Sequence, residues 1–128
     1  DNCIPYNEDY VYFGGYETEQ GMRGCEYLMN LPSPPTAIFS ISDIIAIGAM
    51  NYALSKGYRI GKDLIFMGFD NIQYSHMFVP HLSTVEQPCY AQGKLVIEKL
   101  IENMKATNPD HNLYTLPHSL VLRESTGD

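Results

Sequence analysis

Polar and aromatic side chains stand at the ends of four predicted strands of this chain. They are Tyr16, Ser42, Asp43, Asp70 and Gln87. The carboxyl ends of parallel strands lie along one edge of a sheet, and open α/β sheets bind their ligands at that edge. A carboxylate, a hydroxyl and an amide supply hydrogen-bond partners for a sugar or a nucleobase, while a tyrosine ring stacks on its flat face. The spacing therefore predicts a binding site for a small polar molecule.

Each of these residues also has a purely structural interpretation. Ser42 and Asp43 are suited to begin a helix, because a serine accepts hydrogen bonds from the first free amides and a carboxylate favours the positive end of the helix dipole. Asp70 followed by Asn71 is typical of an Asx turn. Tyr16 is one of ten tyrosines and can simply pack against its neighbours. The convergence of all of them at one sheet edge is what favours a binding site.

The sequence lacks the patterns that carry catalysis or bind metals. It contains no GxSxG, no Walker loop, no HExxH and no GxGxxG. The histidines, which lack the spacing of metal ligands, are His76, His81, His111 and His118. The cysteines, which are odd in number and form no CxxC, are Cys3, Cys25 and Cys89. We therefore expect no enzyme activity, no cofactor, no metal site and no disulfide framework, and a reducing cytoplasm as the location.

Length, charge and hydropathy narrow the class further. The chain has 128 residues, of which 45% are hydrophobic, so it is long enough for one domain with one core. With 8 basic and 15 acidic residues it carries a net charge of −7, which argues against direct contact with nucleic acid, since phosphate binding needs clustered Lys and Arg. No apolar run approaches the roughly 20 residues of a membrane span. The chain begins at Asp1 rather than Met, from which we expect a fragment or a trimmed product.

The first half of the chain predicts two strand–helix units. Tyr10–Phe13 is a short aromatic and β-branched run, and Glu17–Asn30 has apolar residues at helical spacing, with Thr18 as its cap. Thr36–Ser40 is a β-prone run, and the helix after it begins at Ser42 and ends before Gly57, a typical C-terminal residue.

The second half continues the alternation. Leu64–Phe69 and Leu82–Glu86 are predicted strands, separated by a segment, Ile72–Pro80, with one or two helical turns. Tyr90–Lys105 is the longest amphipathic helix, and Ser119–Leu122 is a short extended piece. Strands that alternate with helices predict an α/β fold, a parallel sheet with helices on both faces.

Several stretches, in this order and at this spacing, resemble one protein family. They are GGYETEQGMRG (Gly14–Gly24), PTAIFSISDIIAIGAM (Pro35–Met50), MGFDN (Met67–Asn71), FVPHLSTVEQP (Phe78–Pro88), AQGKLVIEKLIE (Ala91–Glu102) and LVLREST (Leu120–Thr126). They resemble the effector-binding core of the LacI/GalR family of bacterial transcription regulators, which share the fold of periplasmic sugar-binding proteins. The resemblance implies one lobe of a periplasmic-binding-protein-like fold.

The resemblance also implies roles for the residues at the sheet edge. Tyr16 matches an aromatic residue that packs on the effector, and Ser42 matches a contact residue that is often Asn in the family. Asp43 opens the helix next to that contact. Asp70, in the G-[FY]-D motif, is implied to bind hydroxyls or base edges of the effector, and Gln87 is implied to lie near the cleft. Because Ser42 removes one amide, the class of effector stays open between sugar-like and nucleobase-like.

The extent of the resemblance implies that residues 1–128 are the C-terminal lobe of a two-lobed effector-binding domain. Residues 89–107 then form a crossover helix that belongs to the other lobe, and the DNA-binding headpiece lies outside this chain. With half of the cleft absent, we expect weak or no effector binding by this chain alone. We expect the crossover helix either to fold back on this lobe or to be exchanged with a neighbouring molecule.

Dimer formation is a further implication of the resemblance. Relatives dimerise through a helix like Ile44–Lys56 and a segment like Tyr74–Leu82. The apolar residues expected at such a homodimer interface are Met50, Tyr74, Met77 and Phe78.

The sequence thus predicts the effector-sensing, dimerising part of a regulator, whose lobes close on a sugar-like effector and so shift the headpiece between DNA-competent and incompetent arrangements. Two alternatives stay open. A periplasmic sugar-binding protein has the same fold. A phospho-acceptor receiver domain has similar length and alternation, with Asp70 or Asp43 as the acceptor, but it needs an acidic pair after its first strand and a Lys at a late strand end, and neither is found here.

Overall fold

The computed structural model of this chain describes residues 5–106 and 112–127. Its four strands form one sheet in the order β1-β2-β3-β4. The strands are β1 (Ala37–Phe39), β2 (Ile65–Asp70), β3 (Ser83–Glu86) and β4 (Ser119–Val121). The helices are α1 (Thr18–Met29), α2 (Asp43–Ser55) and α3 (Cys89–Lys105). The predicted α/β class with a parallel sheet flanked by helices is confirmed, except that β4 runs antiparallel to β3.

Helix α2 begins where the sequence predicted. The Ser42 hydroxyl accepts a hydrogen bond from the amide of Ile44 at 3.3 Å, which satisfies one of the free amides at the start of the helix. At the other end Gly57 adopts φ +84°, a left-handed conformation that favours glycine. Strands β1 and β2, which precede and follow α2, run parallel to each other, and α2 is the crossover between them.

Helices α1 and α2 pack with their backbones in contact. A Cβ atom at Gly48 of α2 would overlap the carbonyl oxygen of Thr18 at the start of α1. In the same way, a Cβ atom at Gly21 of α1 would overlap the carbonyl oxygen of Ile45. Each helix thus supplies one glycine against which the other helix rests.

The hydrophobic core lies between these two helices and one face of the sheet. Its fully buried members are Cys25, Ala46, Ala49, Met50, Ala53, Leu64, Phe66 and Leu82. Burial raises the pKa of the Cys25 thiol to about 12. Since Met50 has 0% of its surface exposed, it cannot contact a second molecule, and the prediction that placed it at a dimer interface is wrong. Its side chain points inward because α2 turns that face toward β2.

The opposite face of the sheet has little cover. Phe39 on β1 is 60% exposed, and so is Leu120 on β4. In the middle of the sheet, Ser83 is buried by a single turn of 3₁₀ helix near the end of the chain, Glu124–Thr126, which we call the tail turn. The second helical layer that alternation predicted is therefore replaced, over β2 and β3, by this short turn.

Helix α3 stands apart from the core. None of its 17 residues is buried. Its large apolar side chains, between 46% and 77% exposed, are Val96, Ile97, Leu100, Ile101 and Met104. Of the two arrangements expected for this helix, the one in which its apolar face folds back on this lobe is not found.

Some predicted elements differ from the structure. Residues 11–13 form no strand, and Glu8–Tyr10 is a 3₁₀ turn. The ring of Tyr12 instead packs 5.7 Å from that of Tyr27 on α1, and its hydroxyl donates to Gln20. Helix α1 is preceded by Glu17 with no side-chain cap, so the predicted cap at Thr18 is wrong. Cys3 and His111, discussed above, lie outside the described residues, as does residue 107 of the predicted crossover helix.

Candidate functional site

Two successive residues at the end of β2 adopt a left-handed backbone conformation. Asp70 has φ +114° and Asn71 has φ +55°. Residues other than glycine rarely adopt such angles, at a cost of order 1–3 kcal/mol each, and they do so where the surrounding structure holds them. We call these two residues the DN turn. It is at the carboxyl end of a central parallel strand, where the sequence predicted a ligand-binding residue.

The DN turn brings Asp70 against Gln87. The Gln87 side-chain amide donates a hydrogen bond to Oδ1 of Asp70 at 2.6 Å. Both side chains are half-buried, so each keeps a solvent-facing side. Asp70 ends β2 and Gln87 follows β3, and the parallel register that pairs Asp70 with Glu86 brings the two residues close together. The structure therefore unites two of the five predicted site residues in one polar contact.

Asp43 lies beneath this contact and is fully buried. Its Oδ2 accepts hydrogen bonds from the amide of Ile72 at 3.0 Å and from the hydroxyl of Ser75 at 2.5 Å. Its Oδ1 accepts a hydrogen bond from the hydroxyl of Thr84 at 2.6 Å. Both oxygens accept hydrogen bonds from protein donors and are closed to solvent. The sequence predicted that Asp43 contacts a ligand, but in this structure it supports the site from below.

Ser42 and Tyr16 are placed differently from the other predicted residues. Ser42 is half-buried, and its hydroxyl is the N-terminal cap of α2 already described. Tyr16 is 73% exposed and lies two residues before α1, whose first residue, Thr18, rests against Gly48 of α2. Ser42 thus adjoins Asp43 in the chain, whereas Tyr16 lies just before α1, which packs on α2.

Two open cavities lie in this part of the fold. The larger, about 620 Å³, lies where β3 leads into α3 and has Gln87 in its lining. The smaller, about 330 Å³, lies between residues 10–15, α1, α2 and β1. Gly15 and Ile41 line the smaller cavity and directly precede Tyr16 and Ser42 in the chain. Of the five predicted residues, Gln87 lines a cavity, and Tyr16 and Ser42 follow lining residues in the chain.

Three polar residues of the site are absent from the predicted set. The Arg123 guanidinium donates a hydrogen bond to Oδ1 of Asn71 at 2.7 Å. The side-chain amide of Asn71 donates to Oε1 of Glu86 at 3.2 Å. Arg123 also donates to the carbonyl oxygen of Leu82. Because Arg123 is 52 residues from Asn71 in the chain, no local pattern could reveal the contact; the signal was the LREST tail itself.

Within residues 5–106 and 112–127, no group of three His, Cys, Asp or Glu side chains is arranged to hold a metal ion. The same part of the chain has no helix with the length and apolar character needed to cross a membrane.

Comparisons with known proteins show the family to which this fold belongs. A family profile described as a periplasmic binding protein-like domain matches residues 3–126. The ribose operon repressor of Haemophilus influenzae is 37% identical over 122 residues, which cover 95% of this chain and 37% of that protein. The probable transcriptional repressor ExuR of Bacillus subtilis is 42% identical over 98 residues, 77% of this chain and 29% of that protein. These relatives are repressors rather than enzymes.

Solved structures show the same relationship. A regulatory protein of the LacI family from Chloroflexus aggregans superimposes with a TM-score of 0.85 at 32% identity, over 98% of this chain and 45% of that chain. The transcription regulator CcpA of Lactococcus lactis superimposes with a TM-score of 0.87 at 27% identity, over 96% of this chain and 45% of that chain. This chain thus spans less than half the length of its relatives, and it belongs to the periplasmic binding protein-like domain family, in the form of a LacI/GalR-family effector-binding domain.

Proposed function

We propose that this chain is the C-terminal lobe of the effector-binding domain of a transcription regulator, and that it binds a small sugar-like effector at the DN turn. The observation that supports this is the hydrogen bond between Asp70 and Gln87 across the ends of β2 and β3. A carboxylate held against an amide in a strained turn, with one side of each facing solvent, is a prepared site for a molecule with several hydroxyl groups.

The chemistry of the pair suits a polyol. The free oxygen of Asp70 accepts a hydrogen bond from one hydroxyl, and such charge-assisted bonds are stronger than neutral ones. Gln87 offers a carbonyl oxygen and a second N–H to an adjacent hydroxyl. Tyr16 supplies an exposed ring for the apolar face of the sugar, and Ser42 supplies a hydroxyl. A sugar effector is also in keeping with the name of the ribose operon repressor, the relative that matches 95% of this chain.

The remaining functions need segments outside this chain. Helix α3 leaves the lobe with its apolar side chains exposed, and we propose that it packs in a second lobe that completes the cleft. Contact with operator DNA is assigned to a separate headpiece, since the net charge of −7 disfavours phosphate binding here. Closure of the two lobes on the effector then changes the DNA affinity of the headpiece, and the regulator acts in the cytoplasm.

Replacement of Asp70 tests the effector site. In the full-length protein that carries this chain, we expect Asp70→Asn to weaken the binding of ribose, or of whichever aldose in a panel binds the unchanged protein, by about 10–100-fold. The loss of a charge-assisted hydrogen bond is the physical reason. Asp9→Asn, at an exposed position remote from the sheet, is the control. Titration calorimetry measures both, and an unchanged affinity in Asp70→Asn would contradict the assignment.

We further propose a homodimer through the exposed apolar surface next to the DN turn. Tyr74 is 61% exposed and Met77 is 59% exposed, and both belong to or adjoin the 3₁₀ turn Gln73–His76. Phe78 is half-buried and packs against the core, so it supports this surface from behind. Large apolar side chains grouped at one place are the common anchors of protein interfaces.

A charge placed in this surface tests the dimer. We expect Met77→Lys to raise the dimer dissociation constant of the chain at least about tenfold, because a buried, unpaired ammonium opposes association. Met104→Lys, on the exposed face of α3, is the matched control. Sedimentation velocity over a concentration series measures both variants. If Met104→Lys dissociates the dimer and Met77→Lys does not, the interface lies on α3 and the proposed surface is wrong.

A further inference from the structure

We propose that Asp43 is a positioning residue that holds the DN turn in its left-handed conformation and couples it to the apolar surface around Tyr74 and Met77. The inference rests on the proposed function, because it assigns Asp43 to the support of the effector site. Asp43 itself has no exposed surface and does not touch the effector.

The first support is the set of hydrogen bonds made by the two backbone amides that follow Asp70. The amide of Asn71 donates to the hydroxyl oxygen of Thr84 at 3.3 Å, and that hydroxyl donates to Oδ1 of Asp43. The next amide, that of Ile72, donates directly to Oδ2 of Asp43. Both amides that follow Asp70 are therefore tied to one carboxylate, directly or through a single hydroxyl.

The second support is the strain of the turn. Two consecutive non-glycine residues at positive φ revert to ordinary conformations unless their neighbours prevent it. Anchoring the amides of Asn71 and Ile72 fixes the direction in which the chain leaves β2, and so keeps Asp70 beside Gln87. The sheet is built to admit this anchor, because Gly68 lies over Asp43 and any Cβ atom there would overlap its Oδ1.

The third support is a second hydrogen bond to Oδ2 of Asp43, donated by Ser75. The Ser75 hydroxyl, buried in the 3₁₀ turn Gln73–His76, shares Oδ2 of Asp43 with the amide of Ile72. The turn that carries Tyr74 and precedes Met77 is thus bonded to the carboxylate that holds the DN turn. A displacement on either side changes the donors available to the other, which is a physical route for coupling between effector binding and dimer contacts.

Removal of the Ser75 hydroxyl tests this coupling in the chain itself. We expect Ser75→Ala to accelerate amide hydrogen exchange at Asn71 and Ile72 by about tenfold more than at Phe66 in the core, since one of the bonds that orient Asp43 is lost. We also expect the side-chain amide resonances of Gln87 to shift. Ser55→Ala is the matched control, because Ser55 also donates a hydroxyl hydrogen bond but at the far end of α2.

A second pair of variants separates positioning from simple stability. Thr84→Val removes the bridging hydroxyl and should produce the same local changes at Asn71 and Gln87, whereas Thr84→Ser retains the hydroxyl and should restore them. Uniform acceleration of exchange across the chain, with the Gln87 resonances unmoved, would overturn the inference. These measurements need no effector, so a failure of sugars to bind would count against the proposed function and leave this result standing.

Discussion

Gly48→Ala should lower the free energy of unfolding of this chain by at least about 3 kcal/mol, which is a large share of the stability of a small domain. The added methyl group would overlap the carbonyl oxygen of Thr18, a backbone atom that cannot turn aside as a side chain could. Helices α1 and α2 would have to separate, and Cys25 and Leu28 of α1 would lose contact with the core. Urea unfolding followed by circular dichroism measures the change.

The chain contains its own control for this substitution. Gly93 lies within α3, and a Cβ atom there would meet nothing within 4 Å. Gly93→Ala should leave the core unchanged and strengthen α3, because alanine is favoured over glycine in a helix by roughly 1 kcal/mol. If Gly48→Ala were as stable as Gly93→Ala, the close approach of α1 and α2 would be wrong.

Ser125→Ala should cost about 2–4 kcal/mol of unfolding free energy, the second large effect that the structure predicts. Ser125 is fully buried in the tail turn. Its hydroxyl donates to the carbonyl oxygen of Phe66 at 2.7 Å and accepts from the amide of Ser83 at 2.8 Å. It therefore joins β2 to β3 at the start of their pairing, where Met67 is the partner of Ser83. Alanine would leave two buried backbone groups without a partner.

Ser119→Ala is the comparison for this prediction. Ser119 also donates a hydrogen bond, to Glu86, but it is exposed on β4, where water replaces a lost partner. We expect a change within about 0.5 kcal/mol for this variant. Thermal and urea unfolding of both variants decide the matter, and equal stabilities would mean that the tail turn does not join the two strands.

Local signals in the sequence predicted most of the elements. Short β-prone runs bounded by turn residues predict β1, β2 and β3 within one or two residues, and the Ser42 cap is predicted with its role. Such signals work because capping and strand formation depend on neighbours in the chain. The failed strand at Tyr10–Phe13 shows the limit: the Tyr12 ring packs on Tyr27 of α1, a tertiary contact that overrides β propensity.

The site was predictable only in part, for the same reason. The meeting of Asp70 with Gln87 followed from parallel strands, and the structure shows it. Whether a side chain faces a cleft or the core was not readable from spacing, so Asp43 and Met50 were assigned to surfaces although both are buried. Arg123 contacts the DN turn across 52 residues, a separation in the chain that local patterns do not cover.

The exposed apolar face of α3 has a consequence for the stability of this helix. Helix formation requires a costly nucleus, and helices near 12–15 residues are only marginally favoured in water without packing. With 17 residues, a glycine in its second turn and surface ion pairs such as Lys94–Glu98 for support, α3 is close to that limit. The helical and unfolded states of α3 are therefore close in free energy. A surface that packs on its exposed apolar side chains stabilises the helical state. Under the proposed assignment of α3 to a second lobe, the folding of α3 therefore reports its contact with that lobe.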